Sequence, residues 1–487
     1  MRQRRIMSRR IFGIETEFGC LIKVDSFRTA EEASVRIKDY VFDELSLGIA
    51  DMHYRDWGEP PFNGGFLYNG GRLYMDMGHL EYASPECVKL FELVAYDRAI
   101  DFLVVKILND LQVSEELSFI KNNVDHLTGA TFGCHENYQL LRSVPFYKHV
   151  IPTLMPFFVT RQIYAGAGRV GGHDEVADIN QVGHEASDFI GFQISQRADH
   201  IVAEVYEWIQ FSRAIINTRD EPLADHNKYR RLHLLVGDSN MAEYTTALKV
   251  GATSLVLDFL EKGHHPPNLT LADPVKAIKE ISRDQSFEWI VELESGKTIS
   301  AIDLQLEYLQ VAQKCLSGDD EETDWVLTEW ESVLEDLACN NHGNLVGRVD
   351  WVTKKWLLET FMEDENLDWD DPWVESLDLE YHNIHPETGL FYHLEDQGVA
   401  PRLTTDEQIW SAAEKPPQNT RAKARSSVMQ YLGEYHLPCI VDWHQIYFTN
   451  DDPFELKDPF YTYDNEVEQL LKRLERIRSS ESPQDSQ

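Results

Sequence analysis

Apolar and polar residues alternate along Arg10-Ile11-Phe12-Gly13-Ile14-Glu15-Thr16-Glu17-Phe18-Gly19, which predicts a strand. Phe12, Ile14, Thr16 and Phe18 take one face; Glu15 and Glu17 take the other, which Gly13 leaves open. The same period returns between Phe66 and Tyr82. Asn69-Gly70, flanked by short apolar runs, signals a hairpin, because both central residues of that tight turn need φ > 0. Beyond it Leu73 and Met75 point one way and Arg72, Tyr74 and Asp76 the other, with Glu81 after a Gly-containing bend.

Helical spacing fills much of the remainder. Thr29-Ala30-Glu31-Glu32 has the form of a capping box, and Val35, Ile37, Tyr40, Val41 and Leu45 continue it, predicting a helix over 29–47. Residues 51–65 form a Gly-, Pro- and aromatic-rich loop placed to overhang the carboxylate strands. Ser84-Pro85-Glu86 opens a long helix over about 88–113, and further helices are predicted over 145–163, 242–262 and twice within 272–316. Thr131 to Tyr138 reads as a strand with His135 and Asn137 on one face, Glu136 and Tyr138 on the other. Ala165 to Gly172 is glycine-rich but lacks the GK[ST] of a phosphate loop, so it reads as a turn. His173 to Asp188 reads as a mobile surface loop.

Composition narrows the function classes. The chain has 487 residues, 43% of them hydrophobic, enough for two domains and a large core. Its net charge of -38 excludes nucleic acid as a main partner, because phosphate binding needs a concentrated basic surface. No run is apolar enough for a transmembrane span, and the basic first ten residues lack the apolar stretch of a signal peptide. Six cysteines without metal spacing read as reduced thiols in a cytoplasmic protein. An acidic linker at Gly318 to Glu322 precedes Trp-rich helices. The expected domains are 1–400 and 401–475, with a disordered tail over 476–487.

Against this acidity, local chemistry becomes informative. Glu15 and Glu17, two carboxylates on one strand face without a basic neighbour, read either as the polar outer face of a half-solvated sheet or as ligands for a cation, for which an oxygen-only set suits Mg²⁺. Arg219, Lys228, Arg230 and Arg231 form a cationic cluster, with Arg231 and His233 on one strand face. It reads equally as an anion site or as ion pairs with Asp220, Glu221 and Asp225.

Taken in order, these motifs resemble the Pup ligase and Pup deamidase/depupylase family from Arg10 to about Leu470. The matching pieces include Gly13 to Gly19, Asn69 to Asp76 with Glu81-Tyr82, Lys121-Asn122-Asn123, and Gly133 to Tyr138. Ser195 to Ala198, Ile216 to Pro222, Tyr229 to His233, Gly237 to Asn240 and Thr420 to Lys423 complete the match. The resemblance implies an α+β fold of the glutamine-synthetase-like carboxylate–amine ligases: an antiparallel sheet cradle packed with helices, plus a smaller C-terminal domain. It also implies Mg²⁺ positions at Glu15, Tyr74 and Glu81, ATP contacts at Arg72, Ser84 and Trp443, and a catalytic acid/base at Asp76. With the residues' own chemistry added, the expected metal set is Glu15, Glu17, Tyr74, Glu81 and His233. The expected nucleotide set is Arg72, Ser84, Trp443, Arg219 and Arg231.

Gly133-Cys134-His135, Tyr229-Arg230-Arg231 and Lys457 to Phe460 look like the ligase branch; the Asp76-to-Glu81 spacing and Ser84-Pro85-Glu86 match the depupylase. The expected activity is therefore ATP-dependent ligation. The C-terminal Glu side chain of a Pup-like modifier would be joined to a lysine of a target protein through an acyl phosphate. The alternative is hydrolysis of that isopeptide, or of a C-terminal Gln amide, with nucleotide as cofactor.

Overall fold

In the computed structural model, residues 10–481 are described apart from 24–26, 56–58, 126–128, 172–188, 209–212 and 449–451. Alternation becomes strands where it is predicted. β1 (Phe12–Ile22) is central, followed by β2 (Gly48–Ala50), β3 (Gly64–Leu67), β4 (Arg72–Asp76), β5 (His79–Ala83), β6 (Leu117–Ile120) and β7 (Cys134–Leu141). A separate pair, β8 (Arg169–Val170) and β9 (Phe192–Gln193), precedes β10 (Ala203–Tyr206), β11 (Ala214–Asn217) and β12 (Tyr229–Leu234). The main sheet runs β10-β11-β12-β7-β1-β5-β4-β3-β2, and β6 pairs with the far half of β1. All its pairings are antiparallel except β10 with β11.

One face is buried under helices. Phe12, Ile14, Tyr138, Leu232 and Leu234 join side chains of helices Leu90–Asp110, Ile151–Ala165 and Glu243–Glu261 in the main core. Phe18, Leu73, Met75 and Leu80 pack with Ala33 and Ile37 of helix Ala30–Asp39 in a second core. Burial of these side chains from water fixes the strand register, since a one-residue slip would turn every one of them outward. The opposite face is left as a polar cradle. The α+β expectation holds.

Several local expectations shift. The tight hairpin turn with φ > 0 at both central residues is Met77-Gly78 (φ 44 and 93), joining Asp76 to His79. Around Asn69-Gly70 only Gly70 is left-handed (φ 90), because Asn69 instead uses its side-chain oxygen to accept from the Gly71 N–H. Thr29 caps its helix by accepting from Glu32 N, but the Glu32 carboxylate accepts from Arg28 N, so the capping box is not closed. The loop expected at 173–188 lies outside the described residues, as does Trp57 of the overhanging loop.

The C-terminal unit is organised differently from the compositional reading. After the β13–β14 hairpin (Ile290–Glu292, Thr298–Ser300) and a run of helices come β15 (Cys439–Asp442), β16 (Gln445–Phe448) and β17 (Phe454–Glu455). With helices Arg421–Glu434 and Asp464–Glu481 they enclose their own core around Val428, Met429, Val441 and Ile446. Ile409 and Ala412 belong to the main core. Residues 476–481, expected as tail, continue a helix that seats Val467 and Leu470 on the small core; 482–487 lie outside the described residues.

Candidate active site

Strand order turns separate sequence patterns into one surface. Tyr74 lies opposite Glu81, and Glu81 opposite Glu17. One step along, Arg72 lies opposite Ala83, Ala83 opposite Glu15, and Glu15 opposite His135. A further row sets Gly13, Asn137 and His233 side by side. Since every second residue of a strand points the same way, all of these share the polar face.

Two clusters of potential metal donors result. Glu17, Asp76 and Glu81 bring one oxygen each within 4.8 Å of the others. Burial pushes the Glu81 carboxyl well above its ordinary range, and Glu17, Glu15 and Asp76 add to the shift. Burial and Glu17 likewise raise Asp76 to about 6. Like charges held together in a desolvated place are costly, and a divalent cation removes that cost. An oxygen-only set of this kind fits Mg²⁺. Burial, then Glu81, push Tyr74 well above the usual phenol range, so it borders this cluster as a neutral hydroxyl.

The second cluster is Glu15, His135 and His233. Glu15 Oε2 is 3.3 Å from His135 Nδ1 and 3.6 Å from His233 Nε2. Arg231 donates from Nε to Asn137 Oδ1 at 2.6 Å, and its Nη2 lies 3.2 Å from Glu15 Oε1. Burial alone would raise Glu15, but Arg231 and the two imidazoles hold it well below the carboxylate range. Burial and Arg231 lower His233 to about 4, leaving a neutral imidazole available as a donor near neutral pH.

A cleft opens beside Glu15. Gly13, Glu15, Ser84, Asn137 and Arg231 line it together with Ile11, Leu223, Tyr229, Trp443 and Pro459. Gly13 leaves room there: a Cβ would come within 3.1 Å of Ser84 Oγ, which accepts from Ile14 N. Trp443 is held by the Arg425 guanidinium, 4.8 Å over its ring, and by Phe66 at 5.0 Å. Both Arg425 and Arg421 pair with Glu86, tying the C-terminal unit to the sheet.

A family description, Pup-ligase protein, matches residues 10–447. The chain belongs to the Pup-ligase family. It is 38% identical over 478 residues to the Pup–protein ligase of Kineococcus radiotolerans, covering 96% of this chain and 99% of that protein. It is 37% identical over 488 residues to the Pup–protein ligase of Corynebacterium glutamicum strain R, covering 96% of both. Among solved structures, it resembles the complex between the prokaryotic ubiquitin-like protein Pup and its ligase PafA, with TM-score 0.82 and 34% identity, covering 98% of this chain and 96% of that one. It also resembles the Pup ligase PafA in complex with ADP, with TM-score 0.78 and 35% identity, covering 94% of this chain and 97% of that one.

Within this family frame the expected residues divide. Glu15, Glu17, Tyr74, Asp76, Glu81, Arg231 and His233 share the cradle, while Ser84 and Trp443 line the cleft. Arg72 is buried beside them, stacked 4.3 Å over the Tyr74 ring and paired with Asp51 and Glu59. Arg219 is not brought in: it pairs with Glu221 at 2.6 Å on the exposed surface. Arg230 pairs with Asp220 and Lys228 with Asp225, while Arg231 pairs with Glu15. His135, which the sequence places only on a strand face with Asn137, stands beside Glu15. Glu86, read from sequence only as part of the Ser84-Pro85-Glu86 helix start, carried no signal of its pairing with Arg421 and Arg425.

Proposed function

We propose that this chain is an ATP-dependent ligase that joins the C-terminal Glu side chain of a Pup-like modifier to lysines of protein substrates. The observation that carries the reading is the convergence of Glu17, Asp76 and Glu81 on the polar face of a sheet whose neighbouring cleft is lined by Trp443. The apolar lining of that cleft suits a nucleobase, with the Trp443 face for stacking, and Arg231 and Asn137 suit phosphates. Glu17, Glu81 and Glu15 would hold Mg²⁺, which neutralises phosphoryl oxygens during transfer.

The modifier's carboxylate attacks the γ-phosphorus of ATP, giving an acyl phosphate and ADP. The lysine nitrogen then attacks the acyl carbon, the carbon–oxygen bond to phosphate breaks, and the proton leaves nitrogen. Asp76 accepts that proton, as a carboxylate standing beside the acids that would hold the metal. Arg72 and Arg231 stay charged throughout and orient the anionic groups. The six cysteines are all thiols, no helix among the described residues is long and apolar enough to cross a membrane, and we place the enzyme in the cytoplasm.

Incubation with ATP, Mg²⁺, Pup and a lysine-bearing protein tests the reading. ADP and conjugate should form one for one. Conjugation without ADP, or release of target from a preformed conjugate without ADP, overturns it in favour of the hydrolase.

A further inference from the structure

Trp443 stands at the tip of a turn. β15 and β16 pair as far as Asp442 and Gln445, so Trp443 and His444 are the two residues that join them. A large ring on so short a connection is placed by what meets it from outside the hairpin. Trp443 is half-buried and lines the cleft beside Glu15, so its orientation decides what that cleft can stack. Phe66 meets the ring at 5.0 Å, edge to face, and Arg425 lies 4.8 Å over it.

A second guanidinium reaches the same hairpin from the loop after β2. Arg55 donates from Nη2 to Val441 O, and its Nη1 lies 3.7 Å from Asp442 Oδ1. That same Asp442 oxygen accepts from Trp443 N at 2.7 Å. Arg55 also forks onto Asp51: Nε donates to Oδ2 at 2.6 Å and Nη2 to Oδ1 at 2.8 Å. The Arg55 guanidinium lies 5.3 Å over the ring of Phe66, the ring that meets Trp443. With side chains 14% and 5% exposed, Arg55 and Asp51 are not a loose surface pair. Asp51 is itself fixed to the sheet, since its N donates to Gly64 O at 2.7 Å. Its Oδ2 also accepts from Arg72 Nη2 at 3.1 Å. One carboxylate therefore anchors Arg72 directly and the Trp443 turn through Arg55.

We propose that Arg55 is a positioning residue for nucleotide, fixing the Trp443 turn so that the ring stacks on a base while Arg72 meets the phosphates. Arg55 touches no reacting group. Its planar fork holds the Asp51 carboxylate and the hairpin at the same time, which a single ammonium point charge does not do. A ring fixed beforehand loses less freedom when a base stacks on it, and that saving appears as affinity. Removing the guanidinium leaves Asp51 with Arg72, so the phosphate end keeps its anchor and the base end is released. The inference rests on the ATP-dependent reading and adds to it the residue that sets the stacking surface.

The test measures ADP formation with Mg²⁺, Pup and a lysine-bearing protein while ATP and Pup are varied in turn. The proteins are the wild type, Arg55→Gln, Trp443→Ala, the double variant of these two, and Asp442→Ala. Arg55→Gln should raise KM for ATP about tenfold, the order of a weakened base–aromatic stack, and leave KM for Pup within twofold. On the Trp443→Ala background the same substitution should change KM for ATP less than twofold, because the ring it places is gone. Asp442→Ala alters a partly exposed side chain and keeps the Arg55–Asp51 fork, so it reads the same split in a protein whose loop is intact. A KM for ATP within twofold of wild type in both Arg55→Gln and Asp442→Ala overturns the role of Arg55. So does a parallel rise in KM for Pup, or full additivity with Trp443→Ala. A wild type that forms no ADP overturns the ATP-dependent reading itself, and the role of Arg55 with it.

Discussion

Glu17 and Glu81 face each other as register partners on adjacent antiparallel strands, although 64 positions separate them in the chain. Opposed like charges destabilise a sheet, and Asp76 adds a third to this pair. Glu81→Gln should therefore raise the melting temperature of the metal-free protein by a few degrees, while Mg²⁺–ATP turnover is lost. Added Mg²⁺ should stabilise the wild type and not the variant. Melting curves with and without chelator check both halves, and a variant less stable than wild type without metal would count against the assignment.

Asp76→Asn keeps size and hydrogen bonding but cannot accept a proton. Nucleotide should bind as in the wild type, and isopeptide formation should fall by roughly 10²–10⁴. In the wild type the bond-forming rate should rise with pH as Asp76 ionises, at a pH below its metal-free value of about 6 once Mg²⁺ is bound. The residual rate of the variant should lack that rise. Single-turnover conjugation across pH 5 to 8 separates the two.

The two faces of β1 and β4 were legible because alternation alone decides which side chains share a side. Which strands lie next to one another was not. His135 and His233 are far apart in sequence, and only the order β12-β7-β1 brings both against Glu15. Charge clustering misled for a related reason. Arg219 and Arg231 are equally basic in sequence, but Arg219 meets Glu221 at the surface, whereas Arg231 points across β7 to Glu15. Turn chemistry was legible only in kind: Met77-Gly78 takes the tight turn because the sheet needs its two-residue connection there, and Asn69 finds a side-chain bond that relieves the backbone.

That contrast is testable by conservative replacement. Arg231 engages Asn137 and Glu15 with two different nitrogens of one planar group, which a lysine cannot do. Arg231→Lys should raise KM for ATP by about tenfold, because Glu15 loses the partner that holds it ionised and placed. Arg219→Lys keeps an exposed pair worth little, so its kinetics should stay within about twofold of wild type. Equal effects at both positions would remove Arg231 from the site.

Glu86 offers a stability prediction with a definite sign. Burial would raise its pKa, but Arg425 and Arg421, each paired with it at 2.6 Å, lower it from 4.5 to about 2. A depressed folded-state pKa stabilises the fold fully above the unfolded value, and the stabilisation fades as pH falls through the folded one. The pair of arginines should thus contribute roughly 3 kcal/mol at pH 7, shrinking between pH 4.5 and 2. Glu86→Gln removes the charge and leaves both guanidinium groups in a buried place, so it should lose this amount at pH 7 and much less at pH 3. Because Arg425 also donates to Trp443 O at 2.9 Å and lies over its ring, the variant should bind nucleotide more weakly at pH 7 as well. Denaturant midpoints of the two proteins at pH 7 and pH 3 give the comparison. A stability difference that does not narrow with acid would show that Glu86 holds the C-terminal unit by packing and not by charge.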